Sequence, residues 1–344
     1  MKKTSLKDIA QMAGVSTALV SYVLNGREKE TRVGEAIARK VREIAKELNY
    51  QPNHLAKSLR SGKTHTIGLI IADISNPFFA NIARVVEDEA KRNGYTVIIG
   101  SCDEHADKCW DLLNVLISRQ VDGFIIVSTE GSENQIHYLK EQNIPFVLLD
   151  RHFPDIETDF VATNNYKASY DACIHLKNGG YKRIGLIAYR SDMYHMEERI
   201  RGYKHALLDS ELEFQNGWLR EVHFETIEKE VKVAIDELLA SENRVEALIF
   251  ATYGLAINGL KYINELRLKV PSDLAIVSFG QAEVFDLYYC PITYLRQPLE
   301  MLGKTAVEYL LARLKNPEEE VKQILMEAKL IARDSSFART VATV

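Results

Sequence analysis

Short apolar runs of strand length alternate with longer helical patterns from Thr66 onward. The seven clearest runs are TIGLIIA, GYTVIIG, VDGFIIV, IPFVLLD, KRIGLIAY, EALIFAT and LAIVSFG. Alternation of strands with helices predicts parallel sheets covered by helices. The phrase IGLI begins at Ile67 and again at Ile184, which indicates two similar α/β lobes. Ligands of such paired lobes usually bind in the crevice between them, at the carboxyl ends of the strands.

The first 24 residues carry the pattern of two short helices. Ser5 and Asp8 form an S-x-x-D capping pattern at the start of the first helix. Apolar residues then recur at helical spacing at Leu6, Ile9, Ala10 and Ala13. Gly14 ends this helix, and the second helix runs from a natural N-cap at Ser16 to Leu24.

A third helix and a short linker follow a polar loop. The third helix is predicted from one apolar stripe formed by Ile37, Val41, Ile44, Ala45 and Leu48. Two short helices separated by a tight turn, with a third helix behind them, predict a helix-turn-helix domain. In the segment NYQPNHLAKSLRSGKT, Pro52 fits a helix start and Ser61-Gly62 a helix end. A helix of about eight residues is too short to be stable alone.

One face of the second helix carries no charge, which is unusual on a protein surface. Its members are Ser16, Thr17, Ala18, Ser21 and Tyr22. The charge lies nearby, because residues 1–63 contain 13 Lys and Arg against 6 Asp and Glu, although the whole chain has a net charge of -5. A basic head on an acidic body predicts that the head contacts a polyanion.

The composition is typical of a soluble globular protein, with 46% hydrophobic and 26% charged residues. A chain of 344 residues is expected to form two or three domains. No apolar run approaches the roughly 20 residues that span a membrane, and the polar TSLKDIAQ after Lys2-Lys3 argues against a signal peptide. The four cysteines lack CxxC spacing, so we expect free thiols in a reducing cytoplasm, with neither disulfides nor a zinc site.

Three phrases in the first part of the chain identify a resemblance: SLKDIAQMAGVSTALVSYVLNG, LNYQPNHLAKSLRSGKT and IGLIIADISNPFFA. Together with GYKRIGLI, ERIRGY, VPSDLAIVSF, RQPLEMLG and LIARDSS, they closely resemble the LacI/GalR (lactose and purine repressor) family of bacterial regulators, in family order along nearly the whole chain. The resemblance implies an α/β fold with an N-terminal three-helix helix-turn-helix head and two Rossmann-type lobes like those of periplasmic binding proteins. It also implies a homodimer on a palindromic double-stranded DNA operator, controlled by a small effector.

The resemblance also implies domain boundaries. The head is expected at residues 1–49 and a hinge helix at 50–63. The N-terminal effector-binding lobe is expected at 64–162 and 294–326, and the C-terminal lobe at 163–293 and 327–344. A leucine-heptad segment does not follow ARDSS, so a dimer is expected rather than a tetramer.

On the DNA side, the resemblance assigns a set of contact residues. They are Ser5, Leu6, Ser16, Thr17, Ala18, Ser21, Tyr22, Asn25, Asn53, Ala56, Lys57, Leu59 and Arg60. Thr17, Ala18 and Tyr22 would face bases in the major groove, the hydroxyls and amide of Ser16, Ser21 and Asn25 would face phosphates, and Leu59 would enter the minor groove. The alternatives are that Ser16 only caps its helix, that Tyr22 packs on the third helix, and that Leu55 and Leu59 pack on the lobes.

Two residues of the second helix depart from the family pattern. Tyr22 stands where members often carry Arg or His, and Leu19 replaces a usual small hydroxyl residue. Tyrosine cannot make the bidentate contact to guanine, so we expect an operator that differs from the better-known half-sites.

On the effector side, the resemblance assigns residues at the expected cleft. They are Asp73, Asn76, Phe78, Phe79, Asp150, Thr163, Arg199, Phe224, Thr252 and Gln297. One of the two adjacent phenylalanines is expected to be plain core. The guanidinium group of Arg199 presents a fork of donors that suits vicinal hydroxyls or a carboxylate of a ligand. The alternative role for Arg199 is a surface ion pair with Glu197 or Glu198.

The ligand signature is incomplete. Gly280-Gln281 follows VSF where an aspartate is common, and Thr252-Tyr253 stands in place of a common Asn-Asp. A sugar or sugar derivative remains the leading effector class. A modified, acidic or bulkier ligand, or no effector at all, is the alternative, and Tyr253 is a candidate to occupy or reshape the pocket.

Other function classes are disfavoured by their missing motifs. The chain has no GxGxxG, GxxxxGK[ST], HExxH or GxSxG, so we predict no catalytic residues, cofactor or metal. His195 and His223 are interpreted as polar surface residues.

For the function of the whole chain, we predict a cytoplasmic, nucleoid-associated transcriptional regulator, and a repressor is favoured over an activator. The alternative is a cytoplasmic sugar-binding protein or an α/β enzyme without specific DNA binding.

Overall fold

The computed structural model describes residues 4–28, 30–50, 62–240 and 244–337. The chain divides into two compact units, Met1–Thr64 and His65–Val344. The expected hinge contacts Asn53, Ala56, Lys57, Leu59 and Arg60 lie outside the described residues. Among the residues described, no helix is both long enough and apolar enough to cross a membrane.

The described part of the first unit contains three helices, α1 (Leu6–Ala13), α2 (Thr17–Leu24) and α3 (Glu35–Glu47). The Ser5 side chain accepts from the Asp8 backbone N–H, while the Asp8 carboxylate accepts from the Ser5 N–H, so the predicted capping box is present. Gly14 ends α1 with φ +70°, a left-handed conformation that suits glycine. The Ser16 hydroxyl caps α2 by accepting from the Leu19 N–H at 3.2 Å. The helix-turn-helix prediction is confirmed.

The small core of this unit corrects one part of the predicted stripe on α3. Val41, Ile44 and Ala45 are buried, but Ile37 is 41% exposed and Ala38 is buried in its place. Ile37 lies in the first turn of α3, where α1 and α2 leave it uncovered. The core is completed by Ile9, Ala10, Ala13, Val20 and Val23.

The described residues of the second unit form two six-stranded sheets. The first sheet has the order β11-β5-β4-β3-β1-β2, and the second has the order β12-β10-β9-β8-β6-β7. The strands are β1 (Thr66–Ile71), β2 (Thr96–Ser101), β3 (Gly123–Ile126), β4 (Phe146–Leu149), β5 (Phe160–Thr163), β6 (Ile184–Tyr189), β7 (Leu219–Val222), β8 (Ala247–Phe250), β9 (Ala275–Phe279), β10 (Thr293–Arg296), β11 (Gln323–Met326) and β12 (Lys329–Ile331). All pairings are parallel except β10 with β12.

Helices connect these strands. They are α4 (Pro77–Arg92), α5 (Ala106–Ser118), α6 (Glu133–Glu141), α7 (Asn165–Asn178), α8 (Tyr194–Asp209), α9 (Ile227–Ala240), α10 (Tyr253–Glu265), α11 (Val284–Leu287) and α12 (Leu299–Lys315). In β1, the side chains of Ile67, Leu69 and Ile71 pack with α4 and α12, whereas Ile70 packs with α5 and α6. This burial of both sheet faces explains why the central strands are continuous apolar runs.

The internal repeat is real, because the two IGLI phrases occupy equivalent strands. β1 lies between β2 and β3 in the first sheet, and β6 lies between β7 and β8 in the second. Two expected boundaries fall inside strands. Thr163, the first residue of the expected C-terminal lobe, is the last residue of β5 in the first sheet. β10 pairs with β9 and β12, so the chain leaves the second lobe after Arg296 rather than at residue 294.

The four cysteines, Cys102, Cys109, Cys173 and Cys290, are buried and form no disulfide. Within the described ranges, no group of three or more histidines, cysteines or acidic residues is arranged to hold a metal ion.

Candidate functional site

A cavity of about 70 Å³ lies where the carboxyl ends of both sheets meet. One water molecule needs only roughly 10–15 Å³, so this space has room for several water molecules. Nine of the ten side chains predicted for the effector site line it, namely Asp73, Asn76, Phe78, Phe79, Asp150, Arg199, Phe224, Thr252 and Gln297. The tenth, Thr163, lies directly behind the wall, where its hydroxyl accepts from Gln297 Nε2 at 3.1 Å.

Asp150 is the buried carboxylate of this cavity. It follows β4 with φ +66°, a left-handed conformation, and is 4% exposed. Burial raises the pKa of Asp150 above its usual value, while the guanidinium groups of Arg199 and Arg151 oppose that rise. Gln297 Nε2 donates to Asp150 Oδ1 at 3.3 Å, so one amide ties Asp150 of the first sheet to the end of β10 in the second.

Arg199 is anchored on α8 by three contacts. Its Nε donates to Asn165 Oδ1 at 2.8 Å and a terminal nitrogen donates to the Ala251 carbonyl at 2.7 Å. The guanidinium centre lies 3.6 Å from the centre of the Phe279 ring. Burial lowers the pKa of Arg199 to about 9, and the nearby Asp150 limits the fall. Arg199 is 5% exposed, so it makes no surface ion pair, and Glu198 pairs with Arg201 instead.

A second arginine on the wall was missed by sequence reasoning. Arg151 forms a two-pronged ion pair with Glu104, at 2.6 and 2.8 Å, and its guanidinium lies 5.3 Å from the Phe79 ring centre. Its Nε atom is buried without a partner among the residues described. Both residues stand just past strand ends, Arg151 after β4 and Glu104 after β2, and that position was the available signal.

His195 corrects the interpretation of the scattered histidines. It is 8% exposed and lines the cavity, whereas His223 is exposed and pairs with Glu230. Burial, together with the positive charges of Arg151 and Arg199, holds the pKa of His195 well below its ordinary value. The missed signal was helical spacing, because His195 and Arg199 are four residues apart on α8 and therefore share one face.

Aromatic side chains form much of the remaining wall. Phe78 and Phe79 meet edge to face at 5.0 Å, and of the two only Phe79 is fully buried in the core. Tyr189 and Phe224 meet edge to face at 5.6 Å, and burial raises the pKa of Tyr189 to about 12. Tyr253, which the sequence marked as a candidate to shape the pocket, also lines it.

Two predicted polar residues serve their own helices. The Asn76 side chain caps α4 by accepting from the Phe78 N–H at 3.0 Å. The Thr252 hydroxyl caps α10 by accepting from the Leu255 N–H at 3.3 Å. Asp73 accepts from the backbone N–H and the hydroxyl of Ser75. These three side chains therefore use hydrogen-bonding atoms within their own helix or loop, whereas Asp150, Arg151 and Arg199 bond to residues distant in the sequence.

In the first unit, the uncharged face of α2 is open. Thr17 and Ala18 are exposed, and Tyr22 is 38% exposed, so Tyr22 does not pack into the core against α3. Leu19 is half-buried against that core. The Asn25 amide donates to the Ser21 carbonyl at 2.7 Å, which commits one of its two hydrogens to the end of α2. At α1, Ser5 is exposed and Leu6 packs partly against the core.

Two parts of the chain match known protein families. Residues 5–53 match the model of the bacterial regulatory proteins of the lacI family, and residues 174–336 match a periplasmic binding protein-like domain. The HTH-type transcriptional repressor PurR of Aliivibrio fischeri is 32% identical over 334 residues, covering 96% of this chain and 98% of that protein. The chain belongs to the lacI family of bacterial regulatory proteins. It is a DNA-binding transcriptional regulator and not an enzyme.

One further relative supports the same assignment, and one solved structure supports the fold. The ribose operon repressor of Haemophilus influenzae is 32% identical over 334 residues, covering 97% of this chain and 99% of that protein. The crystal structure of the lac repressor dimer bound to operator and an anti-inducer superposes on this chain with a TM-score of 0.86. The match covers 98% of this chain and 100% of that chain, at 23% sequence identity. At this identity the lac repressor structure supports the fold alone.

Proposed function

We propose that this regulator is a repressor that binds a palindromic operator as a homodimer and is controlled by a small polyhydroxylated effector. We place it in the cytoplasm, at the nucleoid. The observation that carries the proposal is the convergence of Asp150, Arg199 and Gln297 on one cavity at the strand ends of both sheets. Such convergent polar groups in an aromatic-lined cavity are what a sugar site requires.

The DNA side of the proposal rests on the open face of α2. Its short hydroxyl and methyl groups can approach base edges and phosphates without long flexible stems. Lys and Arg elsewhere in the first 63 residues supply the attraction to phosphates that such a face lacks. We infer that Thr17, Ala18 and Tyr22 read bases and that Ser16 and Ser21 contact the backbone.

The effector side favours a sugar or a sugar derivative. Aromatic rings such as Phe78 and Phe224 suit the apolar face of a sugar ring, and the Arg199 fork suits adjacent hydroxyls. One relative is named a ribose operon repressor, which fits a sugar-linked regulator. The Asp150 carboxylate and the Arg199 guanidinium in this cavity favour a sugar as the effector.

Control follows from differential binding. A ligand that bridges Asp150 of the first lobe and Arg199 of the second stabilises one relative arrangement of the lobes. It can shift DNA binding only by its difference in affinity for the binding-competent and the inactive states. We propose that the hinge at 50–63 transmits this difference to the head.

Selection of bound sequences from random DNA tests both halves of the proposal. The full-length protein is incubated at physiological salt alone and with each of D-ribose, D-xylose, L-arabinose, D-glucose and D-gluconate. We expect one enriched palindromic site and one compound that changes its retention. Absence of any enriched sequence contradicts the DNA half, and an enriched site that no compound affects contradicts the effector half.

Replacing Tyr22 by alanine is expected to relax base preference at the positions beneath α2. The substitution removes one hydroxyl and an aromatic edge, so affinity for the preferred operator is expected to fall about fivefold, the worth of one hydrogen bond. Selection of bound sequences from random DNA measures both effects. Ile37→Ala is the matched control, since Ile37 is similarly exposed but lies on α3. An unchanged base preference in Tyr22→Ala rules out base contact by this residue.

A further inference from the structure

The connection between β6 and α8 leaves its own lobe and packs against the other one. Met193, the residue before α8, is 3% exposed and belongs to the hydrophobic cluster of the first lobe, whose other buried members lie between residues 70 and 162. Met196, three residues later, is buried in the core of the second lobe instead. The start of α8 therefore places one methionine in each lobe.

A hydrogen bond and a ring contact accompany Met193. The Ser191 hydroxyl donates to Glu130 Oε2 at 2.8 Å, and it accepts from the Met193 N–H at 3.2 Å. Glu130 follows β3 in the first lobe, so this hydroxyl links the lobes and also fixes the turn that presents Met193. The Tyr194 ring meets the His152 ring of the first lobe edge to face at 5.2 Å.

These contacts lie away from the covalent connections between the lobes. In the described part of the second unit, the chain passes between the lobes after β5, after β10 and after β11. β5 and β11 are neighbours in the first sheet, and β10 and β12 are neighbours in the second, so the connections are gathered at one edge of each sheet. β6 lies three strand positions from β10. A contact at this distance from the hinge breaks when the lobes rotate apart about those connections.

The contact has the composition of an interface that can open. A methionine is flexible and fills irregular gaps, so it can leave a cluster without being part of its framework. The hydrogen bond between Ser191 and Glu130 lies at the surface, where both groups can exchange their partner for water at small net cost. Separation of the lobes at this point exposes a few side chains and does not require either core to unfold.

We propose that residues 191–194 form a latch that holds the two lobes together, and that opening of the cleft releases Met193 from the first lobe while both cores stay folded. The latch is coupled to the effector cavity, because Arg199 lies on the helix that begins at the latch. Its regulatory meaning rests on the proposed control by lobe arrangement. The latch itself is tested without effector or DNA, so the two proposals can fail separately.

Thiol labelling tests whether the latch opens while the cores stay folded. The substitution Met193→Cys places a thiol in the latch, and the four native cysteines, which are 0–6% exposed, serve as internal references. The protein is treated with iodoacetamide under native conditions, and each labelling rate from peptide mass spectrometry is divided by the rate of the same thiol in urea. We expect position 193 to react at least about 30-fold faster than Cys109 of the same hydrophobic cluster, because local opening costs less than unfolding.

The matched control for this substitution is Leu207→Cys. Leu207 is a fully buried residue of α8 that packs within the second lobe, so its thiol is expected to react as slowly as the native cysteines. Equal corrected rates at position 193 and at Cys109 overturn the proposal, since Met193 is then exposed only when the first lobe unfolds. A rate at position 193 as fast as in the unfolded chain also overturns it, because nothing then holds the segment.

A second variant tests the hydrogen bond of the latch. Glu130→Ala removes the acceptor on the first lobe and leaves Ser191, α8 and both cores in place. In the Met193→Cys protein we expect it to speed labelling at position 193 about fivefold, the worth of one hydrogen bond, and to leave Cys109 unchanged. Glu133→Ala, at an exposed glutamate at the start of α6, is the control and changes neither rate. No acceleration by Glu130→Ala, or an equal acceleration of Cys109, contradicts the latch.

Discussion

Replacing Arg199 by methionine is expected to abolish the response to effector while operator binding persists. Methionine keeps the length of the side chain but removes its charge and its donors. Arg199 is the cavity residue with the most anchored geometry, because Asn165, the Ala251 carbonyl and the Phe279 ring all hold it. The head that contacts DNA lies in a different unit of the chain. We therefore expect the DNA-binding surface itself to be unaffected.

The expected loss in effector affinity is at least about 100-fold. Hydrogen bonds from a charged donor contribute about 1.5–3 kcal/mol each, and a fork offers two to adjacent hydroxyls. A stability loss of about 3 kcal/mol accompanies it, since Asn165 Oδ1 and the buried Asp150 lose their cationic partner. Titration calorimetry with the active sugar measures the first quantity, and urea unfolding measures the second.

Arg201→Met provides the matched control for this prediction. Arg201 lies two residues further along α8, is exposed, and pairs with Glu198 at 2.6 Å. Its ion pair is a surface pair, which contributes about 0–1 kcal/mol, so effector affinity is expected to stay within about threefold of wild type. Equal effector affinities of Arg199→Met and Arg201→Met contradict the assigned role of Arg199.

Six of the seven strands that sequence reasoning found are almost wholly buried, and the seventh, β2, is an edge strand without a buried residue. Each of the seven apolar runs contains one of the strands β1, β2, β3, β4, β6, β8 and β9. The strands it missed are three or four residues long. β7 reads LREV and carries Arg220 and Glu221, and β11 reads QILM with only Met326 buried. Edge strands such as these bury little side-chain surface, so their pattern is set by tertiary pairing that a local window cannot show.

The effector cavity could be predicted because its residues follow strand ends. Asp73, Asp150 and Thr252 each come one or two residues after an apolar run, and parallel strands bring those ends together. Arg151 and Glu104 have the same position, but charged residues after a strand are common on surfaces. Their ion pair across 47 residues of sequence is visible only in three dimensions.

The burial of His195 could not be derived from its neighbours in the chain. It is followed by Met196, Glu197 and Glu198, a sequence typical of a solvated helix start. Arg151 and His152, which follow β4 in the first lobe, are close enough to lower the pKa of His195. The head shows the converse case, since Ile37 fits a helical stripe by spacing but is left exposed by the short α1 and α2.

Acid is expected to destabilise this protein well above the pH at which carboxylates become protonated. Burial lowers the pKa of His152 to about 4, and burial with neighbouring arginines keeps the pKa of His195 well below 6.5. Both folded-state values lie below those of the unfolded chain, so the unfolded state takes up protons first as the pH falls. Stability is therefore full above about pH 6.5 and is lost as the pH falls toward 4. For His152 alone the loss approaches roughly 3 kcal/mol.

The variant His152→Phe isolates this contribution. The His152 ring is stacked on Phe160 at 3.9 Å with an interplanar angle of 6°, and phenylalanine keeps that stacking without a titrating group. Urea unfolding is measured at pH 7.5 and at pH 4.5 for the variant and the wild-type protein. We expect the free energy of unfolding to fall between these pH values by about 2–3 kcal/mol less in the variant, because the linkage of one buried histidine is removed. The control His205→Asn, at an exposed histidine, keeps the wild-type dependence. An identical pH dependence in wild type and His152→Phe shows that His152 is protonated with equal ease in the folded and unfolded states, and the assigned burial effect is then wrong.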